Sequence, residues 1–236
     1  MSRAPSPLVV VGALGGAALL GLLVYKASSA KASPAPAAPP GPVVKGDKIV
    51  LVGDELVGGA QPVAGGTGSV INSPVALSGE LLKLATPAGV HLQTASIADA
   101  GIDRFDPSGR RIPSDLKAIV LELGTHALGD PALVRSVVQK LVDGGKRRVV
   151  WLVPPALVLR KQPAIEEAIR ASGAEVLLPP HTGDGETLAV LTSDGTRPTD
   201  QGNKVWADYL WTYLTTGQRK TYPPRTMQRA AAAAAA

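Results

Sequence analysis

The feature that most constrains this chain is a recurring pattern. Short, nearly continuous apolar runs end at glycine or proline and alternate with stretches of helical periodicity. Lys48-Ile-Val-Leu-Val52 stops at Gly53-Asp54, Ala118-Ile-Val-Leu-Glu-Leu123 at Gly124-Thr125, and Arg148-Val-Val-Trp-Leu-Val153 at Pro154-Pro155. Runs of this length and composition suit strands covered on both faces. Between them, Pro131 to Gly144 follows Asp130, an N-cap residue type, and the periodicity puts Leu133, Val137, Val138 and Leu141 on one face. Pro163 to Ser172 reads as a second helix stopped by Gly173, and Ala174–Leu178 as a further strand. Thr199 to Thr216 is a last helix carrying Val205, Trp206, Tyr209, Leu210 and Tyr213, whose aromatics read as core and rim. The order predicts an α/β domain: a three-layer sandwich with a mostly parallel sheet and helices on both faces. There is no internal repeat. In such sheets chemistry collects at the carboxyl ends of the strands. That directs attention to Gly53-Asp54-Glu55, Gly124-Thr125-His126 and Asp194 to Thr199.

Composition removes several classes of function. The chain has no cysteine, which excludes disulfides, a thiol nucleophile and Cys-based metal sites. Aromatics make up 3%, so stacking surfaces for single-stranded nucleic acid are scarce. The net charge of +5 is scattered except for Lys146-Arg147-Arg148, which reads as a solvated loop before a strand. No nucleic-acid partner is expected. Gly58-Gly59 and Gly65-Gly66 with Gly68 form a small-residue loop without the Lys-Ser/Thr pair that a phosphate-cradling loop requires. Asp99 and Asp103 read as a solvated face, and no cofactor is expected.

The two ends have a different character. Leu8 to Tyr25 is uncharged and apolar, about 18 residues or roughly 27 Å as a helix, close to the thickness of a bilayer core. Residues 1–26 read as one N-terminal transmembrane anchor, or as a signal with small residues at Ala27-Ser28-Ser29-Ala30. Gly12 and Gly16 would permit close helix–helix contact. Residues 27–46 are rich in Ala and Pro and read as a semi-extended linker, whose residues 27–44 would reach up to roughly 50 Å at about 3.1 Å per residue. The domain proper is expected over 47–217. Residues 218–236 are a tail whose closing alanines read as helical polyalanine or as placeholders.

Three blocks at the strand ends carry a resemblance: Gly53-Asp54-Glu55-Leu56 after the first run, Gly124-Thr125-His126 after the second, and Asp194-Gly195-Thr196-Arg197-Pro198-Thr199 before the last helix. In this order they resemble the SGNH (GDSL-type) hydrolase family over most of the domain, from about Lys48 to Leu214. Gly101 is the candidate for the family's second-block glycine. The resemblance implies that Glu55 stands where the family has its nucleophilic Ser. His126 stands where it has Asn, and Arg197 where it has the His base; Asp194 keeps its identity.

These replacements bear directly on the chemistry. Acyl transfer by this route needs a hydroxyl that a neighbouring base can deprotonate. Glu55 has no hydroxyl, and Arg197 stays protonated at any working pH. The remaining histidines, His91 and His181, and the serines Ser96 and Ser193 offer at most a rebuilt pair and otherwise read as loop and cap groups. Glu55, His126 and Asp194 could ligate a divalent cation, but Arg197 competes for the same charge, so no metal is expected. An ion pair between Glu55 and Arg197 fits the two positions better. The reading is a non-catalytic, membrane-anchored SGNH-hydrolase-like domain. It would be a structural or binding component of an envelope or membrane-containing assembly, of which a virion is one kind, with the domain on the periplasmic or extracytoplasmic side. Its expected partners are the membrane, through Leu8 to Tyr25, and other proteins of that assembly. Two alternatives stay open: an envelope acetyl-ester hydrolase with a rearranged or metal-assisted site, and a module that binds an acyl or glycan ligand without turning it over.

Overall fold

The computed structural model describes residues 41–58, 74–96, 101–108, 112–124, 129–143, 147–154, 162–180 and 198–222, with the backbone alone at Glu55. The anchor segment Leu8 to Tyr25, most of the linker and the polyalanine run lie outside these residues. Among the described residues no helix is long and apolar enough to cross a membrane.

Among the described residues five strands form one sheet: β1 (Lys48–Gly53), β2 (His91–Ser96), β3 (Leu116–Glu122), β4 (Arg148–Leu152) and β5 (Glu175–Leu177). Their order is β2-β1-β3-β4-β5, and every pairing is parallel. The helices are α1 (Glu55–Gly58), α2 (Leu77–Ala85), α3 (Pro131–Asp143), α4 (Pro163–Ala171) and α5 (Asp200–Thr216), with a 3-10 turn at Ile102–Phe105. Alternation along the strands separates two cores. Ile49, Leu51, Ala118, Val120, Val150 and Leu152 face α1, α2 and α5. Ile119, Leu121, Val149, Trp151 and Val176 face α3 and α4. A strand's side chains point to opposite faces with period two, so a sheet buried on both sides must be apolar at every position. This is the three-layer α/β arrangement that the apolar runs imply.

Local signals hold at several helix ends. Asp130 Oδ1 accepts the Ala132 N–H at 2.9 Å, capping α3. Thr199 caps α5, its hydroxyl oxygen accepting the Gly202 N–H at 3.1 Å. Three expectations need correction. The buried stripe of α3 contains Val134 rather than Leu133, which is exposed. Gly58 is the last residue of α1 rather than part of a loop. Arg147 and Arg148 do not belong to a solvated loop, since both are buried. Arg148 opens β4 and donates to both carboxylate oxygens of Glu175 at 2.9 and 2.7 Å and to the Leu214 carbonyl at 3.2 Å. Its guanidinium also lies 5.2 Å from the centroid of the Tyr213 ring. A basic triplet therefore supplies a core ion pair, because the strand it opens starts underneath α5.

At the amino-terminal edge of the sheet the incoming chain is tied down. Val43 is buried, and its N–H donates to the Leu214 carbonyl at 2.9 Å, in the last turn of α5. Val44 donates to Asp47 Oδ2 at 2.8 Å, and His91 to the Asp47 carbonyl at 2.9 Å.

Candidate functional site

Parallel register aligns the carboxyl ends of three strands. Gly53 pairs with Ser96 of β2 on one side and with Glu122 of β3 on the other. Chain direction then changes within one residue. The Asp54 N–H donates to the Glu122 carbonyl at 3.2 Å, and Asp54 Oδ1 accepts the Leu56 N–H at 3.1 Å. Asp54 is 1% exposed, so its carboxylate is an internal N-cap that ends β1 and starts α1. Glu55 consequently opens α1 directly beyond the strand end.

Two glycines are required here for separate reasons. A Cβ on Gly53 would lie 2.3 Å from Val57 Cγ2, 2.5 Å from the Glu122 carbonyl oxygen and 3.0 Å from Glu122 Oε2. Only a residue without a side chain lets α1 and β3 approach this closely. Gly124 has φ of +125°, in the region that favours glycine, and turns the chain off the end of β3. The neighbouring strand braces that turn: Trp151, fully buried, donates from Nε1 to the Leu123 carbonyl at 3.1 Å.

Glu122 is the site residue that the sequence reading missed. It is 0% exposed, and its carboxylate packs against Gly53 at the centre of the strand ends. The signal was present as a single acid inside the apolar run Ala118 to Leu123, since a charge in a strand covered on both faces must be buried.

The structure brings Gly53, Asp54, Ser96, Glu122 and Gly124 to one edge. Gly101, the second-block candidate, follows β2 and opens the 3-10 turn. His126, Asp194 and Arg197 lie outside the described residues, as do the Glu55 side chain, His181 and Ser193; the expected Glu55–Arg197 pair and the metal trio fall there too. His91 is placed, but it starts β2, whereas Ser96 ends it. Five steps along the strand separate them by about 16 Å, so these two cannot form a nucleophile–base pair. Among the described residues no group of three His, Asp or Glu side chains could hold a metal ion. The described part of this edge therefore offers buried carboxylates, a capped helix start and tight glycine turns. It contains no imidazole beside a hydroxyl.

This architecture is an SGNH-hydrolase-like α/β fold with a five-stranded parallel sheet. A catalytic mutant of Axe2, an acetylxylan esterase from Geobacillus stearothermophilus, superimposes with a TM-score of 0.50 at 15% identity, covering 78% of this chain and 99% of that one. A second Axe2 mutant, described as an acetyl-xylooligosaccharide esterase, gives 0.50 at 13% identity over 77% and 99% of the two chains. Est24, a carbohydrate acetylesterase from Sinorhizobium meliloti, gives 0.49 at 14% identity over 71% and 98%. No protein-family model matches the sequence, and no curated protein matches it. The likeness is one of fold.

Proposed function

We propose that this protein is a non-catalytic SGNH-hydrolase-like domain, tethered to a membrane by Leu8 to Tyr25, that serves as a structural or binding component of an envelope or membrane-containing assembly on the extracytoplasmic side. One observation carries the reading. The chain turns from β1 into α1 through Gly53 and the Asp54 cap, and the residue delivered at the head of α1 is Glu55. The resemblance puts a serine there, and a carboxylate cannot supply the hydroxyl that acyl transfer needs. Arg197 in place of the base removes the proton acceptor as well. In this reading Glu55 and Arg197 pair and close the former site.

The test is acetyl-ester turnover by the full chain, measured beside the triple variant Glu55→Ser, His126→Asn, Arg197→His. A silent wild type with measurable turnover in the triple variant is the expected result. Turnover by the wild type that disappears on changing His126 or Asp194 would overturn the reading in favour of a rearranged esterase. The fold likeness to esterases of acetylated carbohydrates supports a second reading, in which the edge binds a glycan without cleaving it. Thermal stabilisation by acetylated xylo-oligosaccharides without acetate release would mark that case.

A further inference from the structure

Among the described residues four large hydrophobic side chains are exposed: Val44 at 58%, Leu82 at 47%, and Val75 and Leu133 at 39% each. The two most exposed flank one turn at the foot of the domain, where the chain enters it. The Gly46 N–H donates to the Gly89 carbonyl at 2.9 Å, and Lys45 Cγ lies 2.9 Å from where a Cβ on Gly89 would stand. The segment from Val44 to Gly46 therefore lies against the turn that ends α2. Leu82 is in the last turn of α2, and its carbonyl accepts the Thr86 N–H at 3.0 Å, where that turn begins. Pro87 and Ala88 of the turn are exposed as well, and so is Lys45.

Val44 is held outward by an ordered backbone. Its N–H donates to Asp47 Oδ2 at 2.8 Å and its carbonyl accepts the Asp47 N–H at 3.1 Å, so the acid of this turn is directed back onto the turn itself. Val43, one residue earlier, is buried and tied to Leu214. Single exposed aliphatic residues are ordinary on a protein surface. This pair differs in lying where the chain comes in from its apolar segment. Residues 26–40 separate Tyr25 from Gly41, and they would span at most about 45 Å in the polyproline form. In the tethered reading, on which this inference rests, the linker draws this foot toward the bilayer. A few aliphatic groups and one lysine bind a lipid surface weakly alone, but a tether makes the encounter intramolecular. Aliphatic side chains then enter the headgroup boundary while a lysine reaches the lipid phosphates. We propose that the foot of the domain rests on the membrane surface through Val44, Leu82 and Lys45. All five strands are parallel, so this contact turns their carboxyl ends, and the candidate site, away from the lipid.

The chain has no cysteine, so one introduced thiol takes a label at a single position. Full-length Val44→Cys, Leu82→Cys and Leu133→Cys each carry the same environment-sensitive fluorophore. They are reconstituted into vesicles of equal parts phosphatidylcholine and phosphatidylglycerol and recovered by flotation. Leu133 is the control, an exposed residue in the first turn of α3, on the other face of the sheet and near the strand ends. Nitroxide-bearing lipids should quench the labels at 44 and 82 several-fold more than the label at 133. Adding Val44→Asp to the Leu82→Cys protein should reduce the quenching at 82. A chain that does not float with the vesicles overturns the tether and this contact together. A chain that floats while all three labels are quenched alike overturns the contact and leaves the tether standing.

Discussion

Gly53 and Gly124 carry different constraints, and each leads to its own expectation. Gly53→Ala forces a Cβ to 2.3 Å from Val57 and 2.5 Å from the Glu122 carbonyl, so either α1 or β3 must shift. A loss of about 1–3 kcal/mol is expected from this overpacking, read as a lower denaturant midpoint at unchanged slope. Gly124→Ala meets strain in its φ of +125° and should cost about 1–3 kcal/mol. Both glycines were visible in the sequence as strand terminators, but the physical reason for each was not. One depends on which side chains converge and the other on a dihedral angle. Asp54 shows the same division. It was legible as part of a Gly-Asp block, whereas its action as a buried cap on the Leu56 N–H depends on α1, a helix too short to announce itself by periodicity.

At the scale of elements, the Arg148–Glu175–Tyr213 group joins the start of β4, the start of β5 and the last turns of α5. The Glu175 hydrogen bond holds the Arg148 guanidinium above its ordinary value. Burial alone would raise the Glu175 carboxyl, but hydrogen bonds from Arg148 and from Tyr213, the latter at 2.7 Å, outweigh it and keep the carboxyl below its ordinary value. A depressed carboxylate stabilises the fold fully above its unfolded value of about 4.3, and that contribution is lost as pH falls through the lower folded value. Acid unfolding followed by circular dichroism should therefore show a step below about pH 4 that is reduced in Glu175→Gln. Glu175→Ala leaves Arg148 buried without its partner. We expect a loss of about 2–3 kcal/mol in chemical denaturation, short of the full buried-pair value because Glu175 keeps a quarter of its side chain exposed. β2 escaped the sequence reading for a related reason. It lies at the sheet edge with no fully buried position, so His91-Leu-Gln-Thr-Ala-Ser96 carries no apolar run. Hydropathy along a strand reports how many of its faces are covered, and edge strands give the weakest signal.

For the whole molecule, two predictions follow from how the chain enters the domain. Val43 is buried and bonded to the Leu214 carbonyl, so a chain starting at Lys45 loses an apolar contact and a hydrogen bond at the foot of α5. Relative to one starting at Gly41 it should be less stable by about 1–3 kcal/mol, measured as a shift in denaturant midpoint. If Leu8 to Tyr25 is the anchor, the full chain sediments with membranes and the chain from Gly41 stays in the supernatant; full-length protein that remains soluble would sink the tether. The sequence by itself determined the class of architecture. Apolar runs too short for helices and too continuous for half-exposed strands have few arrangements other than a sheet covered on both faces. The resemblance read from sequence alone assigns Glu55 and Arg197 to the Ser and His positions, and neither functional group can perform Ser–His chemistry. Only the tertiary structure decided that Glu122 sits against Gly53, that Arg148 pairs inside the fold, and that His91 and Ser96 lie at opposite ends of one strand. Each of these depends on strand register or on which helix covers which face, and those relations are set by packing between residues far apart in the chain.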